Sequence, residues 1–168
     1  MEVRDAHESE LAELTRLWYD SWRDSHAHLL PGELIRLRTL DSFRERLRVA
    51  LPAVRVVGPV GAPLGLCLVR GDELYQLFVS AEARGTGVAA ALVADAEAAL
   101  AAAGVQRAWL ACAIGNERAA RFYEKRGWRR AGTMVNRAET TEGTFLLDTW
   151  RYEKPLSRPP REAPGTAP

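Results

Sequence analysis

The chain has few cysteines, almost no net charge and no long hydrophobic run. Its two cysteines, Cys67 and Cys112, lie inside apolar segments typical of strands, so we expect buried, reduced thiols and no disulfide framework. The net charge of +1 argues against a broad electrostatic surface for nucleic acid or an anionic membrane. The sequence has neither an apolar signal core nor a membrane-spanning run. We therefore expect a cytoplasmic protein that binds neither nucleic acid nor membranes.

The sequence also does not predict a metal centre or a repeat architecture. His26 and His28 form a His-x-His pair, but no third metal-type ligand lies nearby in the sequence, so we expect no metal site. A length of 168 residues, with 47% hydrophobic and 27% charged residues, is typical of one globular domain, which we place at 1–156. Residues 157–168 have little to bury, and we expect a disordered tail there.

The hydrophobic pattern predicts helices first, then a run of strands, and then strands and helices in alternation. Helical spacing is present over 8–22, where Ser9 is available as a cap, over 31–51 with a break near Thr39, and over 88–100 and 116–126. Strands are expected at 1–6, 54–57, 64–69, 74–79, 108–113, 128–135 and 144–152. A strand, helix and strand over 74–113 predict a right-handed parallel crossover.

A glycine-rich turn between the strand that ends at Val79 and the helix that begins near Val88 is the most informative segment. The N-terminus of a helix leaves backbone N–H groups without partners and carries a partial positive charge. Gly85 and Gly87 have no Cβ to block an anion, and Arg84 adds a cation beside them. The segment therefore predicts a ligand that carries phosphate.

Two common phosphate-binding classes fit this turn poorly. Residues 85–90 satisfy a loose G-x-G-x-x-A pattern, but a dinucleotide site also needs an acidic residue about 20 positions further on. No Asp or Glu lies between Glu97 and Glu117, and the turn follows several strands instead of opening the domain. The G-x-x-x-x-G-K-[ST] pattern of a P-loop is missing.

Two motifs at this spacing resemble those of the GNAT N-acetyltransferase superfamily. Residues 84–89, Arg-Gly-Thr-Gly-Val-Ala, match the coenzyme A signature Q/R-x-x-G-x-G/A. Residues 116–128 are similar to the downstream family segment N-x-x-A-x-x-F-Y-x-x-x-G-F/W. The resemblance covers about Val3 to Leu156. It implies an α/β (α+β) fold with a mixed, mostly antiparallel sheet, a splayed parallel central pair and helices on both faces.

The resemblance also implies acetyl-CoA as the donor and a set of residues that bind it. The pantetheine arm would lie between the splayed strands, where backbone N–H and C=O groups lack strand partners. Leu77 and Val79 would contact this arm through their backbone, and Asn116 would reach it from the next helix. The residues implied around the pyrophosphate are Arg84, Gly85, Thr86, Gly87, Val88 and Ala89.

Acetylation of an amine requires two proton transfers. The ammonium, with a pKa of about 10, must lose a proton before it attacks, and the departing thiolate must gain one. Tyr123 resembles the family tyrosine that faces the sulfur, although a packed helix tyrosine is the structural alternative. Glu73 is the candidate base, although it also follows a turn where a solvated charge is ordinary. Tyr75 or Gln76 could polarise the amine instead.

We therefore expect direct acetyl transfer from acetyl-CoA to a primary amine, without a covalent enzyme intermediate, because no Cys or Ser lies in a recognisable nucleophile setting. The balanced charge favours a small-molecule or amino-acid-like acceptor. A protein N-terminus or lysine as acceptor, and a non-catalytic acetyl-CoA sensor, remain the alternatives.

The resemblance also implies a possible homodimer. Trp18, Tyr19, Trp22, His26 and His28 lie in a segment that often walls the acceptor pocket in the family that the chain resembles, although Trp and Leu at helical spacing are more often part of a core.

Overall fold

The computed structural model describes residues 1–156 and Gly165, and the expected disordered tail at 157–168 otherwise lies outside the described residues. The strands are β1 (Val3–Asp5), β2 (Arg55–Val57), β3 (Gly65–Arg70), β4 (Glu73–Val79), β5 (Arg107–Ala113), β6 (Arg129–Thr140) and β7 (Gly143–Pro155). The α-helices are α1 (Leu11–His26), α2 (Gly32–Leu37), α3 (Leu40–Ala50), α4 (Val88–Ala102) and α5 (Glu117–Glu124). None of these helices is long and apolar enough to cross a bilayer.

The strands form one sheet in the order β1-β2-β3-β4-β5-β7-β6. All neighbouring pairs are antiparallel except β4 and β5, which are parallel and joined through α4. This parallel pair keeps a single register position, Glu73 opposite Trp109, and then separates. The prediction of a mostly antiparallel sheet with a splayed central parallel pair is confirmed.

A β-bulge changes the direction of side chains along β4. Leu68 of β3 pairs with Gln76, but the next residue, Val69, pairs with Leu74, so Tyr75 has no partner on β3. A bulge bends its strand and reverses which face its side chains occupy. Leu74 and Leu77 consequently face the same side of the sheet although they are three residues apart.

Helices cover both faces of the sheet, and each face has its own core. On one face, α4 and α5 pack against the sheet around Leu92, Tyr123 and Trp128. On the other face, the N-terminal helices pack around Trp18 and Phe43. Both cysteines are free and buried, as predicted.

Gly65 brings α4 close to the sheet. A Cβ at this position would lie 2.7 Å from a methyl group of Val88 and 3.0 Å from one of Leu92. The absence of a side chain at Gly65 therefore sets the distance between α4 and β3, and with it the position of the preceding turn.

The structure corrects two predicted details. The N-cap of the first helical turn is His7, which accepts from the Ser9 amide, and not Ser9 itself, because a 3-10 turn over Glu8–Glu10 precedes α1. The last two strands are also longer than predicted and form one hairpin that turns between Thr140 and Gly143. Much of β6 is exposed on an edge of the sheet, so its residues lack the apolar alternation that identifies a strand.

Candidate active site

A cleft of about 620 Å³ follows β4 from its first residue to the glycine-rich turn. This volume lies within the usual range for small-molecule sites. The separation of β4 from β5 opens the cleft, and residues of α1, α4, α5 and the β6–β7 hairpin line its walls. Ten of the eleven residues proposed from sequence line it: Glu73, Leu77, Val79, Arg84, Gly85, Gly87, Val88, Ala89, Asn116 and Tyr123.

The glycine-rich turn has the backbone that only glycine adopts readily. Gly85 and Gly87 have φ angles of +75° and +92°, both in the left-handed region. Gly87 is also the N-cap of α4, and no side chain caps this end of the helix. The first N–H groups of α4 therefore remain available to a ligand in the cleft.

Two side chains of the turn have different surroundings. The guanidinium of Arg84 forms an ion pair with Asp24 of α1, so this cation is held at the rim of the cleft. Thr86 is exposed and does not line the cleft, and its hydroxyl donates to the carbonyl of Ala83. The Thr86 side chain therefore stabilises the turn, and only its backbone remains a candidate for ligand binding.

Val79 at the end of β4 and Asn116 at the start of α5 both line the cleft. The Val79 carbonyl accepts a hydrogen bond of 3.3 Å from Ser21 of α1, so it does not face β3. Asn116 accepts from the Ala119 amide at 3.3 Å, which makes it the N-cap of α5, and it also lines the cleft. Capping and ligand contact are therefore compatible at Asn116.

Tyr123 lies in an aromatic cluster on the α5 side of the cleft. Its ring contacts Phe122 and Trp128 edge-on, at centroid distances of 5.3 and 6.1 Å. Burial raises the pKa of its hydroxyl above the ordinary value of a tyrosine. The phenol therefore stays protonated at neutral pH and can act only as a proton donor or hydrogen-bond partner in the resting protein.

Glu73 is buried at the start of β4, with only 6% of its surface exposed. Burial raises the pKa of its carboxyl above the ordinary value, and the nearby Arg70 guanidinium, at 3.6 Å, partly opposes this rise. Glu73 is therefore not a solvated carboxylate at a turn, which was the alternative that the sequence left open. A buried carboxyl with a raised pKa is better suited to accept a proton near neutral pH.

His26 and Trp22 of α1 form an apolar wall of the cleft. Their rings stack at 5.6 Å with an interplanar angle of 12°, and Phe78 of β4 lies 5.8 Å from the imidazole. Burial lowers the pKa of His26 to about 4, so the ring is neutral at physiological pH. Within residues 1–156, no group of three His, Cys, Asp or Glu side chains is arranged to hold a metal ion.

The sequence analysis did not single out the five arginines besides Arg84 that line the cleft: Arg38, Arg46, Arg118, Arg126 and Arg137. Arg118 and Arg137 are exposed, and the other three are at least partly buried. Arg38 immediately follows α2 and is 5% exposed, and Arg46 lies on the inner side of α3. Both residues occur in an arginine-rich segment in which most guanidinium groups are solvated. Helical spacing could have identified Arg46 as facing the protein interior. It lies three residues after Phe43 and one before Leu47, on the apolar side of α3.

Comparison with known proteins gives one consistent result. The sequence model described as the acetyltransferase (GNAT) family matches residues 8–128. An uncharacterized N-acetyltransferase of Mycobacterium bovis is 42% identical over 74 residues, which are 42% of this chain and 47% of the relative. The match thus spans about half the length of that curated relative.

Solved structures share the fold over almost the whole chain. A GCN5-related N-acetyltransferase from Rhodopseudomonas palustris has a TM-score of 0.71 at 19% identity, covering 92% of this chain and 95% of that one. An N-acetyltransferase from Thermoplasma acidophilum in complex with coenzyme A has a TM-score of 0.63 at 17% identity, covering 92% and 98%.

The environment of Glu73 predicts its titration. We expect the Cδ resonance of Glu73, followed by NMR, to titrate with a midpoint above the ordinary glutamate value of about 4.3. Because the Arg70 guanidinium opposes the effect of burial, Arg70→Gln should raise the midpoint further. Arg44→Gln, which removes an exposed arginine on α3, serves as the control. A midpoint at or below the ordinary value would contradict the buried environment.

Proposed function

Because the chain belongs to the GNAT acetyltransferase family, we propose that it transfers an acetyl group from acetyl-CoA directly to the primary amine of a small molecule. The observation that supports this most is one cleft that combines the uncapped N-terminus of α4, the gap between β4 and β5, Tyr123 and Glu73. A thioester carrier needs the first two features to bind. Tyr123 could protonate its departing thiolate, and Glu73 could take a proton from the amine acceptor.

The donor would bind along the length of the cleft. Its pyrophosphate would accept hydrogen bonds from the main chain of 84–89, where the α4 dipole favours negative charge. Its pantetheine arm would lie against Leu77 and Val79, in the gap that the separated strands leave. Asn116 would contact the arm from the opposite wall.

Transfer would proceed by attack of the neutral amine on the thioester carbon. Glu73 takes the proton that the ammonium loses, directly or through water, and the amine nitrogen then forms a bond to the carbonyl carbon. The carbon–sulfur bond breaks as Tyr123 gives its proton to the departing thiolate. The attacking nitrogen then loses its second proton, through solvent, to the Tyr123 phenolate, which restores the phenol and leaves a neutral amide. The products are the N-acetylated acceptor and free coenzyme A.

A covalent acetyl-enzyme is not part of this proposal. Cys112 is the cysteine that lines the cleft, and burial raises the pKa of its thiol to about 11. A thiol with that pKa carries almost no thiolate at neutral pH, and the thiolate is the nucleophilic form. Direct transfer is therefore the simpler route for this cleft.

Gly87→Glu tests the donor site. The new carboxylate would lie beside the N–H groups of α4 that the pyrophosphate would use, and it would repel the phosphates. We expect the dissociation constant of acetyl-CoA, measured by calorimetry, to rise at least about 100-fold, or about 2.7 kcal/mol.

Gly104→Glu is the matched control for this change. Gly104 follows the other end of α4, has a φ angle of +87°, and has open space around a built Cβ. It therefore suffers the same backbone strain and gains the same charge, about 22 Å away along a helix of 15 residues. Equal affinity for acetyl-CoA in the two variants would refute the donor site.

Tyr123→Phe tests the proton donor. The variant keeps the ring and its contacts but lacks the hydroxyl, so the thiolate must leave unprotonated. We expect acetyl-CoA affinity within about twofold of wild type and a kcat lower by about 10²–10⁴-fold, measured as release of free thiol.

Tyr152→Phe removes a hydroxyl from the same aromatic cluster, but Tyr152 does not line the cleft. Turnover by the Tyr152→Phe variant should stay close to that of the wild type. Undiminished turnover by the Tyr123→Phe variant would exclude Tyr123 as the acid.

The wild type also distinguishes an enzyme from the sensor alternative. Tight binding of acetyl-CoA with no thiol release for any amine tested would favour the sensor.

A further inference from the structure

Arg38, which is buried, and Arg46, which is half-buried, line the cleft without a carboxylate partner among the described residues. Arg38 uses one guanidinium nitrogen to donate a hydrogen bond of 2.6 Å to the Glu139 carbonyl. Arg46 donates to the hydroxyl of Tyr75 at 3.3 Å, and its guanidinium lies 4.5 Å from the ring of Trp18. Neither partner carries a negative charge.

Arg126 is a third partly buried arginine of the cleft without a carboxylate partner, and it donates to the Phe122 carbonyl and lies over the Phe122 ring. Two partly buried arginines outside the cleft do have carboxylate partners. Arg4 forms an ion pair with the buried Glu10 at 2.7 Å, and Arg55 pairs with Asp95 at 3.0 Å. Buried charges are almost always paired, because removing them from water without a counter-charge is costly. Burial and the positive charge of Arg46 lower the pKa of Arg38 to about 10, and the charges of Tyr75 and Glu139 oppose this shift only in part.

A structural role explains only part of this geometry. The bond from Arg38 to Glu139 ties the end of α2 to the tip of the β6–β7 hairpin. A guanidinium carries five N–H donors, however, and this contact uses one of them. Arg46 likewise donates one bond to Tyr75. The remaining donors and both positive charges are available to an anion in the cleft.

The same stretch of β4 also carries the opposite charge. Glu73 lines the cleft two residues before Tyr75. The hydroxyl of Tyr75 accepts from Arg46, and the guanidinium of Arg70 lies 3.7 Å from the centroid of the Tyr75 ring. Two cations and one buried carboxylate along one wall would fit a small molecule that carries both an anion and an ammonium group.

We propose that Arg38 and Arg46 bind an oxyanion, a carboxylate or a phosphate, on the same acceptor molecule whose amine is acetylated. This inference rests on the function proposed above and specifies its substrate class. The oxyanion accepts hydrogen bonds from the two guanidinium groups, and the amine then lies near Glu73. The apolar wall of Trp22, His26 and Phe78 contacts the body of the molecule.

The test is equilibrium binding of product-like probes to the protein saturated with coenzyme A. One pair is N-acetyl-L-phenylalanine and its carboxamide, and the other is N-acetyl-O-phosphoethanolamine and N-acetylethanolamine. Charge-assisted hydrogen bonds are roughly twice as strong as neutral ones, so the anion of at least one pair should bind about 10-fold or more tightly than its neutral partner. The pair that shows the preference distinguishes carboxylate from phosphate.

Arg46→Gln should reduce this preference to about twofold or less, and Arg46→Lys should retain part of it because the charge is kept. Arg44→Gln is the matched control: it removes an exposed arginine from the same helix and should keep the full preference. Unchanged coenzyme A affinity in every variant shows that the fold is intact. Arg46 is preferred to Arg38 because it does not hold the hairpin.

The outcomes separate this inference from the proposed function. If neither anion binds more tightly than its neutral partner in wild type, or if Arg46→Gln keeps the preference, the inference is wrong, whether or not amines are acetylated. If the preference is present and depends on Arg46 but no amine releases thiol from acetyl-CoA, the proposed transfer fails and the oxyanion site stands. Faster acetylation of L-phenylalanine than of its amide, lost in Arg46→Gln, would support both.

Discussion

The separation of β4 from β5 is the constraint on which the candidate site depends. Each strand is held by its other neighbour: β4 by an antiparallel ladder with β3, and β5 by seven register positions with β7. The two strands can therefore diverge after Glu73 and Trp109 without unfolding the sheet. Their free edges leave backbone groups that must find other partners. A ligand that offers amide groups along its length supplies such partners, as the pantetheine arm of coenzyme A does.

The chemistry of the cleft follows from where this opening lies. The strand that ends at Val79 leads into the glycine-rich turn, so the gap and the N-terminus of α4 are continuous. Gly65 lets α4 approach the sheet closely enough for this to happen. On the opposite wall, α5 positions Tyr123 through aromatic packing and Asn116 through its cap. The gap beside β4, the uncapped start of α4 and the buried Tyr123 of α5 thus meet in one cleft.

Sequence reasoning predicted the parts of the molecule that depend on local signals. The glycine-rich turn before α4 and the start of a helix at Asn116 were both predicted, and in the structure Gly85 and Gly87 lie in the left-handed region and Asn116 caps α5. It could not predict the bulge at Tyr75, because a bulge depends on register with the neighbouring strand. It also missed Arg38 and Arg46, since only tertiary packing distinguishes an arginine that lines the cleft without a carboxylate partner from the solvated arginines around it.

A crystal structure of the protein with coenzyme A would test the central claim most directly. The account predicts density for the pyrophosphate within hydrogen-bond distance of the backbone amides of 84–89, and for the pantetheine arm between β4 and β5. The arm should reach the side of the cleft lined by Tyr123. Coenzyme A bound elsewhere on the protein, or an empty gap at a saturating concentration, would contradict the account.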